Sequence, residues 1–285
     1  MTTTVTAPAP ASAPAHPAPA ARRGGGGSRR LRSVLLGGAG LLVLAALLEI
    51  LPRTRVINPD FLPPLSRIAV VFGEQLATAD FWWALLSTLR GWLLGLLIAV
   101  VAGVVLGVLI GSVPLLQRLL GPTIDFLRPI PSIVWVPLAV LLFGTTMQAT
   151  LVMVVYASLW PILMQVTYGV EAVDRTALDT ARSFRINPLR TAWRVTWPSI
   201  QPYLFVGIRL SATIALLLEI TGELIIGSPG IGKLITLAQT GGNLTTMYAL
   251  VWVSAILGIL VGIGARALES RAMFWHASIR GEVAS

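Results

Sequence analysis

From Pro129 to Val170 the chain carries no charged residue, and no other feature limits its possible folds so sharply. The stretch has room for two helices of the ~20 residues needed to cross a hydrocarbon core, with Gly144-Thr145-Thr146 as the turn between them. Four more apolar runs have the same character: Val34–Leu51, about Leu85–Ile110, about Tyr203–Ile226 and about Tyr248–Ala265. Together they predict an all-α polytopic membrane protein with six transmembrane helices. The composition agrees, because 55% hydrophobic against 12% charged residues is too apolar for an ordinary soluble domain. In the second run, Gly91, Gly95, Gly103 and Gly107 let neighbouring helices approach closely.

The basic residues orient these helices. Arginines crowd residues 22–32, Arg118 and Arg128, the stretch from Arg175 to Arg194, and Arg266, Arg271 and Arg280, whereas only Arg53, Arg55, Arg67 and Lys233 fall on the other side. The positive-inside rule then puts both termini in the cytoplasm. Residues 1–33, Ala-Pro-Thr repeats followed by an Arg-Gly run, read as a disordered cytoplasmic tail and not as a secretory signal. Residues 34–84 hold the first membrane helix and an extracytoplasmic loop with Asn58-Pro59 and Pro63-Pro64 turns and room for one surface helix. Residues 85–275 form the main helical body, with a polar cytoplasmic loop at 175–200, and 276–285 are a second cytoplasmic tail.

Several chemistries are excluded or disfavoured. A net charge of +9 does not indicate nucleic acid, because the arginines are spread between apolar spans and form no single face. There is no cysteine, and the two histidines, His16 and His276, lie in the tails, so no thiol or histidine metal site can form in the spans. The segment Gly227–Leu234 has the Gly-x4-Gly-Lys spacing of a phosphate loop, but Leu234 replaces the magnesium-binding hydroxyl. It reads as a Gly-Pro turn.

Three charges within apolar runs are singled out. Arg90, Glu219 and Glu223 each cost a few kcal/mol at depth, so each is expected to face a cavity or a partner, or, near a helix end, to reach the interface. Glu219 and Glu223 are one turn apart on one helix face. One of them is therefore expected to be neutral or paired with Arg90. Trp82, Trp83, Trp193 and Trp197 read as interfacial anchors.

The polar loop has its own local code. Thr176 with Asp179 three residues on is a capping-box-like helix start. Ala177, Ala181 and Phe184 then share one face, while Asp179, Arg182 and Arg185 point elsewhere. Asn187-Pro188 ends this helix and caps the next, and Pro198 and Pro202 are expected to break the second helix before the next span.

In this loop the order Asp179-Thr180-Ala181, Arg185, Val195-Thr196-Trp197-Pro198 is similar to the EAA loop of ABC-importer permease subunits, Glu-Ala-Ala, three residues, Gly, nine residues, Ile-x-Leu-Pro. The spacing fits throughout. Asp179 stands for the Glu, Thr180 for the first Ala, and Arg185 for the Gly, which would permit a left-handed turn that Arg resists. Leu127–Pro137 running on to Phe143-Gly144, the Thr88-Leu89-Arg90 opening of the second span, and Glu223 with Gly230 and Gly232 resemble the nitrate/sulfonate/taurine branch. The resemblance covers Leu85 to Trp275.

It implies a type I ABC importer permease with both termini inside, in the bacterial plasma membrane, moving a small and often anionic solute. Thr176, Ala177, Asp179, Thr180, Ala181, Phe184 and Arg185 would dock a dimer of ABC ATPase subunits, which would bind ATP and Mg; this chain would bind no cofactor. Two copies of the permease would form the pathway, and an extracytoplasmic substrate-binding protein would deliver the solute. Arg90, Glu219 and Glu223 would belong to the pathway or its gate. A secondary transporter or channel is the alternative, although no internal repeat is evident. A membrane-embedded enzyme ranks last, for want of His or Cys in the spans.

Overall fold

The computed structural model describes residues 26–273, with side chains from residue 35 onward. The expectations for His16, His276, Arg280 and the two tails lie outside these residues, except that the helix of the first span, α1 (Gly26–Arg53), already begins inside the stretch expected to be a disordered tail. The chain divides into a unit ending at Val43 and a larger one from Leu44. The larger unit contains every helix after α1.

Every regular element among the described residues is helical. After α1 come α2 (Leu65–Leu76), α3 (Ala79–Ser112), α4 (Pro114–Leu127), a 3-10 turn (Ser132–Trp135) and α5 (Val136–Phe143). There follow α6 (Met147–Glu171), α7 (Arg175–Ser183), α8 (Pro188–Thr191), α9 (Trp197–Ile226), α10 (Ile231–Thr240) and α11 (Leu244–Ala272). Five helices are long and apolar enough to span a membrane, or six if α4 and the Ser132–Phe143 pair count as one. α2 falls in the stretch that had room for one helix. The boundary expected at residue 84 is displaced: Thr78 caps α3 by accepting the Phe81 N–H, so α3 starts at Ala79.

α3, α6 and α9 make the centre of the core, and α10 and α11 add Ile231, Ile235, Leu250 and Val253 beside it. The small residues of α3 recur every fourth position, and α6 lies directly against them. A Cβ added at Gly95, Gly103 or Gly107 would come within 2.5, 2.7 and 2.8 Å of Val154, Ile162 and Val166. α9 also packs closely on α6, where a Cβ on Gly207 would meet the Ile162 Cα at 3.1 Å. Ala99, Ile162, Val166, Ile200 and Leu204 form the cluster between them. Ser211 donates to the Ser158 carbonyl at 2.7 Å, and the Trp92 indole to the Ala212 carbonyl at 2.9 Å. These two bonds tie α9 to both neighbours.

The third span departs from expectation. The helix expected from Pro129 to the Gly144 turn is reduced to the 3-10 turn and α5, and α4, in the loop stretch marked by Arg118 and Arg128, meets this segment at 85°. Pro129 and Pro131 follow the helical Arg128, the C-cap of α4, and remove two backbone donors, so the helix cannot continue through them. The four-residue 3-10 turn and the eight residues of α5 cover only about 20 Å of a core ~30 Å thick. The Tyr156 hydroxyl holds the break by donating to the Leu127 carbonyl at 2.6 Å. The hairpin after α5 is where it was expected: Gly144, at φ +67°, ends α5, and α6 starts at Met147.

The fifth span also differs from the pattern expected of its prolines. Pro198 and Pro202 do not break the chain, which is helical without interruption from Pro188 to Ile226. A π-helical turn at Ala192–Thr196 sends the Trp197 N–H back five residues to the Ala192 carbonyl. This one-residue shift in register lets Pro198 enter at the first turn of α9, where a missing donor costs little. The Ser199 hydroxyl then satisfies the Val195 carbonyl at 2.8 Å.

Candidate functional site

Two places collect the residues singled out above: the polar segment 174–196, and a buried polar knot where α9 turns into α10.

The polar segment is built by three caps. Asp174, not Thr176, caps α7, its carboxylate accepting the Thr176 N–H at 2.8 Å. Thr176 lies one residue inside the helix, where its carbonyl accepts the Thr180 hydroxyl. At the other end the Ile186 N–H returns to the Ala181 carbonyl and the Arg185 N–H to the Arg182 carbonyl, both at 2.9 Å. This paired pattern requires a left-handed residue between helix and exit. Arg185 takes that conformation, at φ +53°. Asn187 then caps α8 through the Leu189 N–H at 2.9 Å, with Pro188 in the first turn, as expected.

The cap redistributes the expected face. Ala181 is 4% exposed and turned into this chain, with Ala177 half-buried beside it. Phe184 sits at the turn and is 77% exposed. Thr176, Asp179 and Thr180 form the outer face, where Asp179 pairs with Arg182 at 3.2 Å. The stacked indoles of Trp193 and Trp197 follow on the π turn, with ring planes 3° apart.

The second place is held by glycines. Glu219 and Glu223 of α9 are 1% and 0% exposed. Glu219 lies over Gly91 of α3, where an added Cβ would be 1.9 Å from its Oε1. Glu223 accepts the Gly232 N–H at 2.8 Å, and a Cβ on Gly230 would fall 1.8 Å from its Oε1. Thr88 of α3 accepts the neighbouring Ile231 N–H at 2.9 Å. Two of the orphan donors at the start of α10 are thus capped by side chains of two other helices. The Thr150 and Ser228 hydroxyls, 2.7 Å apart and buried, join α6 to the same turn. Glu219 Oε2 and Glu223 Oε1 have no hydrogen-bond partner among the described residues.

Arg90 takes no part in this knot. It is exposed on α3, two positions beyond Thr88, and forms no ion pair among the described residues. Residues two apart on a helix point in widely different directions, so Thr88, and not Arg90, meets the α9–α10 turn. The phosphate-loop lookalike is that turn: Gly227 ends α9 in the left-handed region at φ +79°, and the N–H groups of Ile231 and Gly232 are already engaged. Sequence reasoning also missed Arg209 on α9 and Glu269 on α11, which pair at 2.9 Å; only two opposite charges sixty residues apart marked them beforehand. Both places brace one helix against another through caps and buried polar contacts.

Residues 80–273 match the family model described as binding-protein-dependent transport system inner membrane component. The chain is 28% identical to the taurine transport system permease protein of Escherichia coli (strain K12), over 87% of this chain and 92% of that protein. To a putative aliphatic sulfonates transport permease protein of Bacillus subtilis (strain 168) it is 26% identical, over 84% and 87%. An inward-facing structure of the MetNI methionine ABC transporter shares the fold, with a TM-score of 0.57 and 18% identity over 65% of this chain and 92% of that one. The chain therefore belongs to the family of inner membrane components of binding-protein-dependent transport systems, as a multi-pass permease subunit of an ABC importer in the bacterial plasma membrane.

Proposed function

We propose that two copies of this permease, with two ABC ATPase subunits on segment 174–196 and a substrate-binding protein on the opposite face, import a small anionic solute of the sulfonate class. Similarity to a taurine permease along almost its whole length carries the substrate class. ATP and Mg are bound by the ATPase, and this chain holds no cofactor. Both termini and segment 174–196 are cytoplasmic, on the arginine distribution.

The geometry suits transmission of force. The segment proposed to receive the ATPase continues from Pro188 to Ile226 as one 39-residue helix, roughly 58 Å long. A push at α7 and α8 therefore arrives at the far end of α9, where Glu223 is bonded to α10 and Glu219 is seated on α3. Glu219 and Glu223 act as helix contacts of the gate and do not bind the anion, which a fixed negative charge would repel. Arg90, exposed on α3, is the candidate of the three that can face an anion.

Reconstitution with the ATPase and binding protein in proteoliposomes tests this reading. Taurine or an alkanesulfonate is expected to stimulate ATP hydrolysis and to accumulate inside. Uptake by the permease alone, driven by an ion gradient, would establish a secondary transporter instead.

A further inference from the structure

Segment 174–194 carries five arginines against two aspartates. Asp174 is used as a helix cap and Asp179 pairs with Arg182. Arg175, Arg185, Arg190 and Arg194 are exposed and without an ion pair among the described residues. Between them Phe184, Leu189 and Trp193 are 77%, 78% and 71% exposed. Apolar side chains ringed by unpaired cations fit an apolar cleft with an acidic rim.

Arg185 stands apart within this ring. It and Arg55 are the only non-glycine residues at positive φ among those described. A left-handed backbone is costly for an L-residue with a Cβ, and glycine would take the position freely. The cap does not use the guanidinium; it uses only the backbone. The strained position sets the Cα–Cβ bond of Arg185 in the turn between two capped helices, next to Phe184 and Ile186 in the chain.

We propose that Arg185 is a partner-selecting residue, whose guanidinium meets a carboxylate on the rim of the cognate ATPase cleft. The inference rests on the reading of this segment as the ATPase dock. A protein cleft is favoured over anionic lipid because the segment is preorganised by the Asp174, Arg185 and Asn187 caps. A fluid headgroup layer gains nothing from a fixed geometry, whereas a shaped partner does. Charge at a rim acts on specificity and on association rate.

The test measures binding of the ATPase subunit to the permease in phosphatidylcholine nanodiscs at low and high salt. Arg185→Lys is expected to keep the affinity, Arg185→Gly to lose part of it, and Arg185→Glu to lose about tenfold or more, with the loss shrinking as salt rises. Thermal unfolding of each variant reports whether the segment stays folded, and Arg185→Gln serves if Arg185→Glu does not. Glycine relieves the strained backbone, so a purely conformational role predicts that Arg185→Gly binds as well as the wild type. That result overturns the proposal, as does a loss by Arg185→Glu seen only in phosphatidylglycerol discs, which would assign the charge to lipid. If the wild-type permease binds no ATPase, the docking reading itself falls, and this inference with it.

Discussion

Glu223 accepts the Gly232 N–H at 2.8 Å, so a carboxylate from the last turn of α9 caps the first turn of α10 nine residues later. The contact is possible because Gly230 and Gly232 bring no Cβ. At Gly232 an added Cβ would stand 2.5 Å from the Ile220 carbonyl, a backbone atom that cannot turn aside.

Gly232→Ala is therefore expected to destabilise the protein by about 1–3 kcal/mol, the usual range for overpacking. Glu223→Ala should cost a similar amount, about 1–3 kcal/mol, for a different reason: the Gly232 N–H is left buried without an acceptor. Glu223→Gln keeps an acceptor oxygen and should lie close to the wild type. Thermal unfolding in nanodiscs ranks the three, and equal midpoints for the alanine and glutamine variants would show that the bond contributes nothing.

Glu219 and Gly91 give a second, separable prediction. Gly91→Ala places a Cβ where the Glu219 carboxylate now lies and is expected to cost about 1–3 kcal/mol. In Gly91→Ala/Glu219→Ala the clash is removed, so the double variant should be more stable than the sum of the two single changes. On function, Glu219→Gln should alter transport or solute-stimulated ATP hydrolysis while assembly with the ATPase persists. Unchanged rates in both Glu219→Gln and Glu219→Ala, at equal expression, would make the residue a bystander.

How far these features could be read beforehand depended on their range. Single-residue signals were legible: Asn187-Pro188 as cap and first turn, Gly144 as the end of α5, and Glu223 with Gly230 and Gly232 as one motif. Ambiguity arose where two adequate residues stood close together. Asp174 and Thr176 are both good caps, and Thr88 and Arg90 lie two apart on α3; only packing decides which of each pair is used. Pro198 misled because a helix-breaking rule assumes a regular helix before it, and the π turn at Ala192–Thr196 changes the register first. The Arg209–Glu269 pair and the Thr150–Ser228 contact join residues 60 and 78 positions apart, which no local pattern encodes.

Topology can be tested directly, because the chain has no cysteine. Ser183 and Gln239 are both exposed and lie at opposite ends of the proposed path. Ser228, although also in the outer turn, is 1% exposed and unsuited to labelling. An impermeant maleimide in intact cells should modify Gln239→Cys and leave Ser183→Cys unmodified until the membrane is opened. Equal labelling of both would refute the orientation.

The dock itself calls for a change on the right face. Ala181 is buried within this chain, so Ala181→Trp would first disturb the packing of α7, and a failure to assemble would say little about the partner. Thr180 and Asp179 are exposed on the outer side of the same helix. Thr180→Trp adds bulk there without entering the core, and Asp179→Arg reverses a charge whose only described ionic contact is Arg182 at 3.2 Å, an exposed pair worth at most ~1 kcal/mol. Neither change should lower the unfolding temperature appreciably. Thr180→Trp should abolish co-purification of the ATPase if this face enters its cleft, because bulk is penalised where two surfaces close on each other and not where one faces water, and Asp179→Arg should do the same by removing the carboxylate this face offers the partner. Full co-purification with Thr180→Trp and Asp179→Arg, at wild-type stability, would remove this face of α7 from the dock.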